Sequence, residues 1–221
     1  MKIFDILGPI MVGPSSSHTA GAAKIGYITR TLLGEKPVNA RIGLCGSFAA
    51  TGKGHGTDKA VIAGLLGMKP DDMRIPESFA VAEKEKLSFS FESVRLPEAH
   101  PNTVVLDVTG DAGREIAVQA SSLGGGRIMI EKLDGTEVHC MGDCPTLIIC
   151  NQDSPGVVSE VTSILSGINV NIAALRLHRD KRGGSAVMVI ETDQPVGKES
   201  ISMLEQLEGI NRVIYVNGEV E

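Results

Sequence analysis

The sequence predicts an α+β fold in which helices pack on sheets, built in two consecutive parts. Two observations carry this prediction. The last third of the chain gives strand and helix signals in the order β-α-β-β-α-β, and the longer first part mixes helical segments with strands of regular apolar alternation. With 221 residues, 42% of them hydrophobic, the chain has enough apolar material for one or two domains with real cores.

The C-terminal part gives the clearer signals. Its expected strands are 146–151, 168–178, 185–192 and 210–216. A first helix is expected to begin at Asp153-Ser154-Pro155-Gly156, with Asp153 or Ser154 as its cap and Pro155 in its first turn, and to end at Gly167. A second helix is expected over about residues 198–207. This order predicts a ferredoxin-like βαββαβ topology.

The N-terminal part is longer and mixed. Helices are expected over 19–33, ending before Gly34, and after a cap at Thr57 or Asp58, ending at Gly67. Residues 52–56 are expected to form a flexible glycine-rich loop. The expected strands are 38–44, 87–94, 103–108, 115–120, 127–132 and 137–140, the last two forming a hairpin around Asp134-Gly135. These elements predict two domains, 1–142 and 145–221.

Composition excludes several classes of partner. The net charge is −6 and the basic residues are scattered, which argues against nucleic-acid binding. No apolar run reaches the roughly 20 residues of a membrane span, and the N-terminus lacks a signal-peptide pattern. The four cysteines do not suggest a disulfide framework in a chain of this length. We therefore expect a cytoplasmic protein with no nucleic-acid or membrane partner.

A polar cluster, Ser15-Ser16-Ser17-His18-Thr19, stands directly before the first expected helix. One interpretation is helix capping, which Ser and Thr do well. Because one hydroxyl suffices for a cap, the cluster also suggests a site for a small anion such as a carboxylate, beside the free N–H groups of the helix start.

Two further histidines stand in comparable positions. His55 lies between glycines before the second expected helix, and imidazole is suited to general base work near neutral pH. His100 precedes Pro101, which favours extended geometry, and Asn102 follows at a strand entrance. Taken alone, the segment with His55 is equally compatible with an ordinary glycine-rich turn, and the segment with His100 is better explained as a plain loop.

The cysteines and the glycine loop after residue 122 complete the candidates. Cys140, Cys144 and Cys150 fit no common zinc or iron–sulfur spacing, so we expect structural cysteines and no metal ligand on this chain. Gly125, Gly126 and Arg127 form either a wide turn or a backbone nest for an anion, with Arg127 as the counter-charge.

Taken together, these motifs resemble the beta subunit of bacterial iron–sulfur-dependent L-serine dehydratases (L-serine ammonia-lyases). The resemblance rests on MKIFDILGPIMVGPSSSHTAGAAKIG at the start, GKGHGTD at 52–58, HPNT at 100–103 and GGGRI at 124–128. The C-terminal part looks like an ACT domain, a fold often used to bind amino acids and to dimerise. The N-terminal part is similar to the allosteric substrate-binding domain of some phosphoglycerate dehydrogenases.

The resemblance implies an enzyme subunit that is inactive alone. The family converts L-serine to pyruvate and ammonia, and its [4Fe–4S] cluster is held by cysteines of an alpha subunit. That subunit is therefore the implied partner, together with homodimer contacts, and L-serine is the implied substrate and a possible effector.

The resemblance also implies roles for single residues. His55 is the leading candidate for abstracting the Cα proton, and His100 for positioning or a second proton transfer; the sequence does not settle which is the base. The residues implied in holding the substrate are Ser15, Ser16, Ser17, His18, Thr19 and Asn102. The residues implied or suggested for an amino-acid effector are Gly125, Gly126, Arg127, Asp153, Pro155 and Gly156.

A second hypothesis remains open. The chain would then be a non-catalytic module that senses an amino acid and dimerises, and its histidines would not touch the chemistry. Fold alone does not decide between the two, since ligand binding does not follow from a ferredoxin-like topology.

Overall fold

The computed structural model describes residues 10–218, which form two compact units, an N-terminal unit that ends at Gly135 and a C-terminal unit that begins at Thr136. Residues 1–9, which open the first sequence motif, and residues 219–221 lie outside the described part of the chain. Among the described helices, none is both long and apolar enough to cross a membrane.

The helices of the N-terminal unit begin with a single π-helical turn, Ser16–Gly21, which continues as α1, Ala22–Leu33. Gly34 ends α1 in the left-handed region with φ 71°, a conformation that glycine adopts without strain. The remaining helical segments are α2 (Gly46–His55), α3 (Thr57–Leu65), a 3₁₀ turn (Ile75–Glu77) and α4 (Ser78–Glu85).

Five strands with the order β2-β1-β3-β4-β5 accompany these helices. They are β1 (Pro37–Cys45), β2 (Ser88–Val94), β3 (Thr103–Gly110), β4 (Glu115–Gly124) and β5 (Arg127–Leu133), and β6 (Thr136–Cys140) follows as the first strand of the C-terminal unit. β1 runs parallel to β2, while β1, β3, β4 and β5 pair antiparallel. Asp134 and Gly135 both have positive φ, as expected for a tight hairpin turn.

The core of this unit lies between the sheet and the helices. Alternate residues of the strands, such as Ile42, Leu106 and Val118, are at most 1% exposed because successive side chains point to opposite faces. Helices α1 and α3 approach closely through two glycines. A Cβ atom on Gly26 would lie 3.0 Å from the Cα atom of Gly64, so the contact requires residues without side chains.

The C-terminal unit has the predicted ferredoxin-like topology. Its elements are β7 (Thr146–Gln152), α5 (Val157–Gly167), β8 (Ile172–Arg179), β9 (Ser185–Thr192), α6 (Lys198–Glu205) and β10 (Ile210–Val216). The antiparallel sheet has the order β10-β7-β9-β8. Leu147, Met188 and Leu204 belong to its apolar core and are fully buried. The predicted α+β class is therefore confirmed.

One predicted loop is wrong. Residues 52–55 are the last turn of α2, and Gly56 ends that helix with φ 69°. The glycines favoured a loop, but tertiary contacts override this preference. Phe48 is fully buried, and a Cβ atom on Gly52 would lie 3.2 Å from the Cβ atom of Thr57, so the helix is held by packing.

The predicted helix caps are also wrong at two starts. α3 begins at Thr57 after Gly56, and neither Thr57 nor Asp58 caps it with a side chain. α5 begins at Val157 after Gly156, whose φ is 100°, so Pro155 precedes the helix and Asp153 bonds elsewhere. In both places a glycine with positive φ makes the sharp entry that the prediction assigned to a polar cap.

Two smaller differences concern element limits. Helix α4 was not predicted from the sequence, and strand β8 begins at Ile172 rather than at residue 168. Asn169 there has φ 59°, which ends the preceding helix before the strand begins.

Candidate active site

The candidate site lies at one edge of the N-terminal sheet. β1 ends there at Cys45, β3 begins at Thr103 and β4 ends at Gly124, and the π-helical turn packs against β4. The close approach of this turn requires Gly21, because a Cβ atom there would lie 2.8 Å from the Cβ atom of Ser122. The antiparallel order of the strands thus brings segments far apart in sequence to one edge.

The serine cluster does two things. The Oγ atom of Ser15 accepts a hydrogen bond of 3.0 Å from the backbone N–H of His18, so the capping interpretation holds for this serine. Ser17 has a different role, because its Oγ atom lies 3.0 Å from Nδ1 of His18. The Oγ atoms of Ser15 and Ser17 are 3.3 Å apart.

His18 lies at the centre of the site. Its Nε2 atom is 3.0 Å from Oγ of Ser47 and 3.1 Å from Oγ1 of Thr51, both on α2. The ring meets Phe48 edge-on, with ring centroids 5.2 Å apart. Hydroxyls on both ring nitrogens and an aromatic edge hold the imidazole in one orientation.

The pKa of His18 lies below the ordinary value of 6.5. Burial is the largest cause, since it disfavours the charged ring, and the positive charge of a protonated His55 nearby adds to it. A hydrogen bond at Ser47 opposes these two effects and raises the pKa. The net result favours a neutral imidazole at physiological pH.

His55 lies beside His18 at the end of α2. The two ring centroids are 5.1 Å apart. The hydroxyl of Thr19 donates a 2.9 Å hydrogen bond to the carbonyl oxygen of His55, which ties the π-helical turn to the last residue of α2. The imidazole of His55 is exposed, and within residues 10–218 no side chain hydrogen-bonds it.

The loop that carries His100 and Asn102 holds the other end of α2. The carbonyl oxygen of Pro101 accepts a 2.7 Å hydrogen bond from the backbone N–H of Ser47. Gly46 makes this contact with φ 50°, and a Cβ atom there would lie 2.9 Å from the Cα atom of Pro101. α2 therefore connects His55 at its C-terminal end with the His100 loop at its N-terminal end.

Hydrogen bonds also fix the loop itself. Nδ1 of His100 accepts a 3.1 Å bond from the backbone N–H of Asn102. The carbonyl oxygen of Asn102 accepts a 3.0 Å bond from the N–H of Ser122. Thr103, fully buried below the loop, donates its hydroxyl to the carbonyl oxygen of His100 at 2.6 Å. The ring of His100 is thus oriented by backbone groups.

Three residues of α2 were missed by sequence reasoning, namely Ser47, Phe48 and Thr51. Each contacts His18. A usable signal was Gly46-Ser47 directly after the end of β1, a strand-to-helix turn of the kind that carries functional groups. Ser47 and Thr51 are 29 and 33 positions from His18 in the sequence. Local sequence patterns do not reveal contacts over such separations.

The predicted effector residues fall into two places. Gly125, Gly126 and Arg127 form the turn between β4 and β5, and both glycines have positive φ. In the C-terminal unit, Asp153 accepts hydrogen bonds from Arg179 at 2.8 Å and from the N–H of Gly183 at 2.9 Å.

These bonds lower the pKa of Asp153, the bond from Gly183 contributing most. The carboxylate thereby holds the loop between β8 and β9. Pro155 and Gly156 are exposed beside it.

The cysteines form no metal site in residues 10–218, where no group of three His, Cys, Asp or Glu side chains is placed to hold an ion. All four cysteines lie in this part of the chain, and no disulfide joins any two of them. Burial raises the pKa of the Cys140 thiol to about 11, which is unfavourable for the thiolate that a metal requires. The residues present therefore do not fit an iron–sulfur cluster held by this chain alone.

Fold and site together define a class: a two-unit α+β chain with a histidine- and hydroxyl-lined site in one unit and a ferredoxin-like unit after it. Residues 2–133 match the family described as "Serine dehydratase beta chain", and residues 146–209 match the ACT domain. The chain belongs to the serine dehydratase beta chain family, as the sequence motifs predicted, and carries an ACT domain.

Individual relatives agree with this assignment. The chain is 37% identical to the "Probable L-serine dehydratase, beta chain" of Bacillus subtilis, with 97% of each chain covered. It is 37% identical to the "L-serine dehydratase, beta chain" of Peptoniphilus asaccharolyticus, with 96% of each covered. A longer relative, the "L-serine dehydratase" of Mycobacterium bovis, is 31% identical, and the match covers 80% of this chain and 42% of that protein.

Proposed function

We propose that this chain is the beta subunit of an L-serine dehydratase, which converts L-serine to pyruvate and ammonia together with an alpha subunit. The observation that carries the proposal is the pairing of His18 with His55, at a centroid distance of 5.1 Å, inside a ring of hydroxyls. Deprotonation of an amino acid requires hydrogen-bond donors that hold its carboxylate, and a general base beside those donors. The hydroxyls and the two histidines can supply these groups.

The substrate carboxylate would be held at the serine cluster. The hydroxyl of Ser16 can donate a hydrogen bond to an anion directly, and those of Ser15 and Ser17 can do so by exchanging their bonds to each other and to His18. Thr19 is buried, and its hydroxyl is bonded to the carbonyl oxygen of His55, so we assign it to shaping the site. Asn102 would bind the carboxylate or the amine of the substrate.

His55 would remove the Cα proton. Its imidazole is exposed and has no hydrogen-bond partner among the described side chains, whereas both ring nitrogens of His18 are engaged. His100, whose Nδ1 atom accepts from the backbone N–H of Asn102, would position the substrate or transfer a second proton. As the proton leaves Cα, charge builds on the carboxylate, which the hydroxyl donors would stabilise.

The [4Fe–4S] cluster of the enzyme would belong to the alpha subunit, since the cysteines of this chain do not fit it. The longer single-chain relative is consistent with a fused arrangement of the two parts. Homodimer contacts, a role of L-serine as effector and a cytoplasmic location belong to the same proposal. Four cysteines without a disulfide between them are typical of a reducing compartment.

We assign these roles to two domains. Residues 1–142 would carry the site, and residues 145–221 would form the ACT regulatory domain. An amino-acid effector would contact Asp153, Pro155 and Gly156 in the ACT domain, or the turn at Gly125, Gly126 and Arg127.

The proposal is tested by replacing His55 in the two-subunit enzyme. We expect His55→Ala, co-expressed with an alpha subunit, to lower kcat for L-serine by a factor on the order of 10² to 10⁴, the usual contribution of a general base. His178→Ala, on strand β8, serves as the matched control and should leave kcat unchanged. An unchanged kcat in His55→Ala with an altered response to serine would instead favour the sensing module.

A further inference from the structure

The hydroxyl of Thr51 lies against Nε2 of His18 and is also bonded within its own helix. Thr51 Oγ1 lies 2.9 Å from the carbonyl oxygen of Ser47, one helical turn earlier. A carbonyl oxygen can only accept, so the single proton of this hydroxyl is used in that bond. The same oxygen lies 3.1 Å from Nε2 of His18 and can only present a lone pair to it. In this contact Nε2 is therefore the donor. The Oγ atom of Ser47, 3.0 Å from Nε2 and 3.4 Å from Oγ1 of Thr51, can share the Nε2–H while donating its own proton to Thr51.

The remaining contacts of His18 agree with this direction. If Nε2 carries the proton, Nδ1 has a free lone pair, which accepts from the hydroxyl of Ser17 at 3.0 Å. Ser17 then accepts from Ser15 at 3.3 Å, and Ser15 accepts the backbone N–H of His18 at 3.0 Å. In this arrangement the hydroxyls of Ser15 and Ser17 each donate one hydrogen bond, so the Nε2–H form of His18 satisfies both.

This arrangement decides how the two neighbouring imidazoles divide their roles. His18 has no free lone pair, because Nδ1 is occupied by Ser17 and Nε2 is protonated. It can therefore donate a hydrogen bond but cannot accept a proton without breaking its bond to Ser17. A neutral His18 also spares His55, at a centroid distance of 5.1 Å, from a positive neighbour when His55 gains a proton.

We propose that Thr51 is a positioning residue, which holds His18 as the neutral Nε2–H tautomer and so leaves proton abstraction to His55. The tautomer follows from the hydrogen bonds alone, and its catalytic consequence rests on the proposed function.

The tautomer is measured directly by long-range ¹H–¹⁵N correlation NMR of the histidine rings in the full ¹⁵N-labelled chain at pH 7.5. Loss of the signals in His18→Gln assigns them. We expect wild type to have one protonated and one unprotonated ring nitrogen at His18, with the proton on Nε2. Thr51→Val removes the acceptor at nearly constant volume and should give a mixture of tautomers, whereas Thr51→Ser should keep the wild-type pattern.

Thr31→Val is the matched control. Thr31 makes the same bond to the carbonyl oxygen one turn earlier, Tyr27 at 3.1 Å, but contacts no histidine, so His18 should keep its tautomer. A proton on Nδ1 in wild type, or an unchanged Nε2–H pattern in Thr51→Val, would overturn the proposal. If Thr51→Val does not fold, the tautomer of His18 in wild type and in Thr51→Ser still tests the proposal.

The activity of the two-subunit enzyme gives the second readout. We expect Thr51→Val to lower kcat about tenfold or more and Thr51→Ser to recover most of it, since a misoriented donor weakens charge stabilisation. An inactive wild-type complex would contradict the proposed function while leaving the NMR result on Thr51 intact. The same kcat in Thr51→Val and wild type would show that the tautomer does not contribute to turnover.

Discussion

At the scale of single residues, His18 combines a partly buried ring with a lowered pKa, and the consequence is a pH-dependent stability. In the folded chain the pKa is below the ordinary 6.5 of the unfolded chain. The unfolded state therefore binds a proton more readily than the folded state. The contribution of neutral His18 is fully present above pH 6.5 and is lost as the pH falls through the folded-state pKa.

We expect the free energy of unfolding of wild type to decrease, relative to that of His18→Gln, as the pH falls from 7.5 to 5. Glutamine keeps a polar side chain at this position but does not titrate. The measurement is urea unfolding of both full-length chains at each pH. Parallel pH profiles for the two proteins would show that His18 keeps an ordinary pKa in the folded chain.

Cys140 gives a second prediction at this scale. Burial raises the pKa of its thiol to about 11, so at pH 8 roughly 0.1% is thiolate, the form that reacts with alkylating agents. Cys144 is only partly buried. Iodoacetamide at pH 8 should therefore label Cys144 well before Cys140, as located by tandem mass spectrometry.

Denaturation provides the control for this labelling. In urea all four cysteines are exposed to the reagent and should react at similar rates. Equal labelling of Cys140 and Cys144 in the native chain would contradict the buried position of Cys140.

At the scale of elements, the sequence predicts strands better than it predicts the helix that organises the site. Apolar alternation in the sequence marks β1, β3 and β4, and burial alternates along most of β3 and the first half of β4 because one face there packs on the core. Helix α2 has no such signal. Its glycines lower helix propensity, and it exists because Phe48 is buried and the N–H of Ser47 bonds to Pro101.

The same reasoning explains which site residues could be found. His18, His55 and His100 stand out in local motifs, and the structure brings His55 into contact with His18. Ser47 and Thr51 have no local motif, because their importance arises only where α2 meets the π-helical turn. Helix α4 was missed for a related reason: its first residue, Ser78, is buried and donates its hydroxyl to the carbonyl oxygen of Lys59 on α3.

The close contact of α1 with α3 gives a prediction for whole elements. A Cβ atom on Gly64 would lie 2.5 Å from the backbone N of Tyr27, which cannot yield as a flexible side chain does. We expect Gly64→Ala to lower the free energy of unfolding by about 1–3 kcal/mol, because the two helices must move apart. Thermal or urea unfolding of the full chain measures the change.

Gly54→Ala is the control for that substitution. Gly54 lies within α2, and a Cβ atom there meets nothing within 4 Å. Alanine should therefore stabilise the chain by up to about 1 kcal/mol through helix propensity. Similar stability of Gly64→Ala and wild type would mean that the helices are not in backbone contact.

At the scale of the whole molecule, the chain divides into two units, and the C-terminal unit contains a four-stranded sheet and an apolar core of its own. The order of strand and helix signals was sufficient to predict the ferredoxin-like unit, since few topologies fit β-α-β-β-α-β. The N-terminal unit was predicted only as a set of elements. Its strand order places β1 between β2 and β3, and this depends on long-range pairing that no local pattern encodes.

The independence of the C-terminal unit is the last prediction. Its core includes Leu147, Ile149, Met188 and Leu204, and the carbonyl oxygen of Pro145 already accepts the N–H of Thr192 at 2.9 Å. Residues 145–221 expressed alone should therefore unfold in urea as one cooperative transition. Ile149→Ala should lower the free energy of unfolding by about 2–5 kcal/mol, because it opens a cavity in this core. The urea midpoint should fall accordingly. A gradual, non-cooperative transition would show that the ACT domain needs residues before Pro145 to fold.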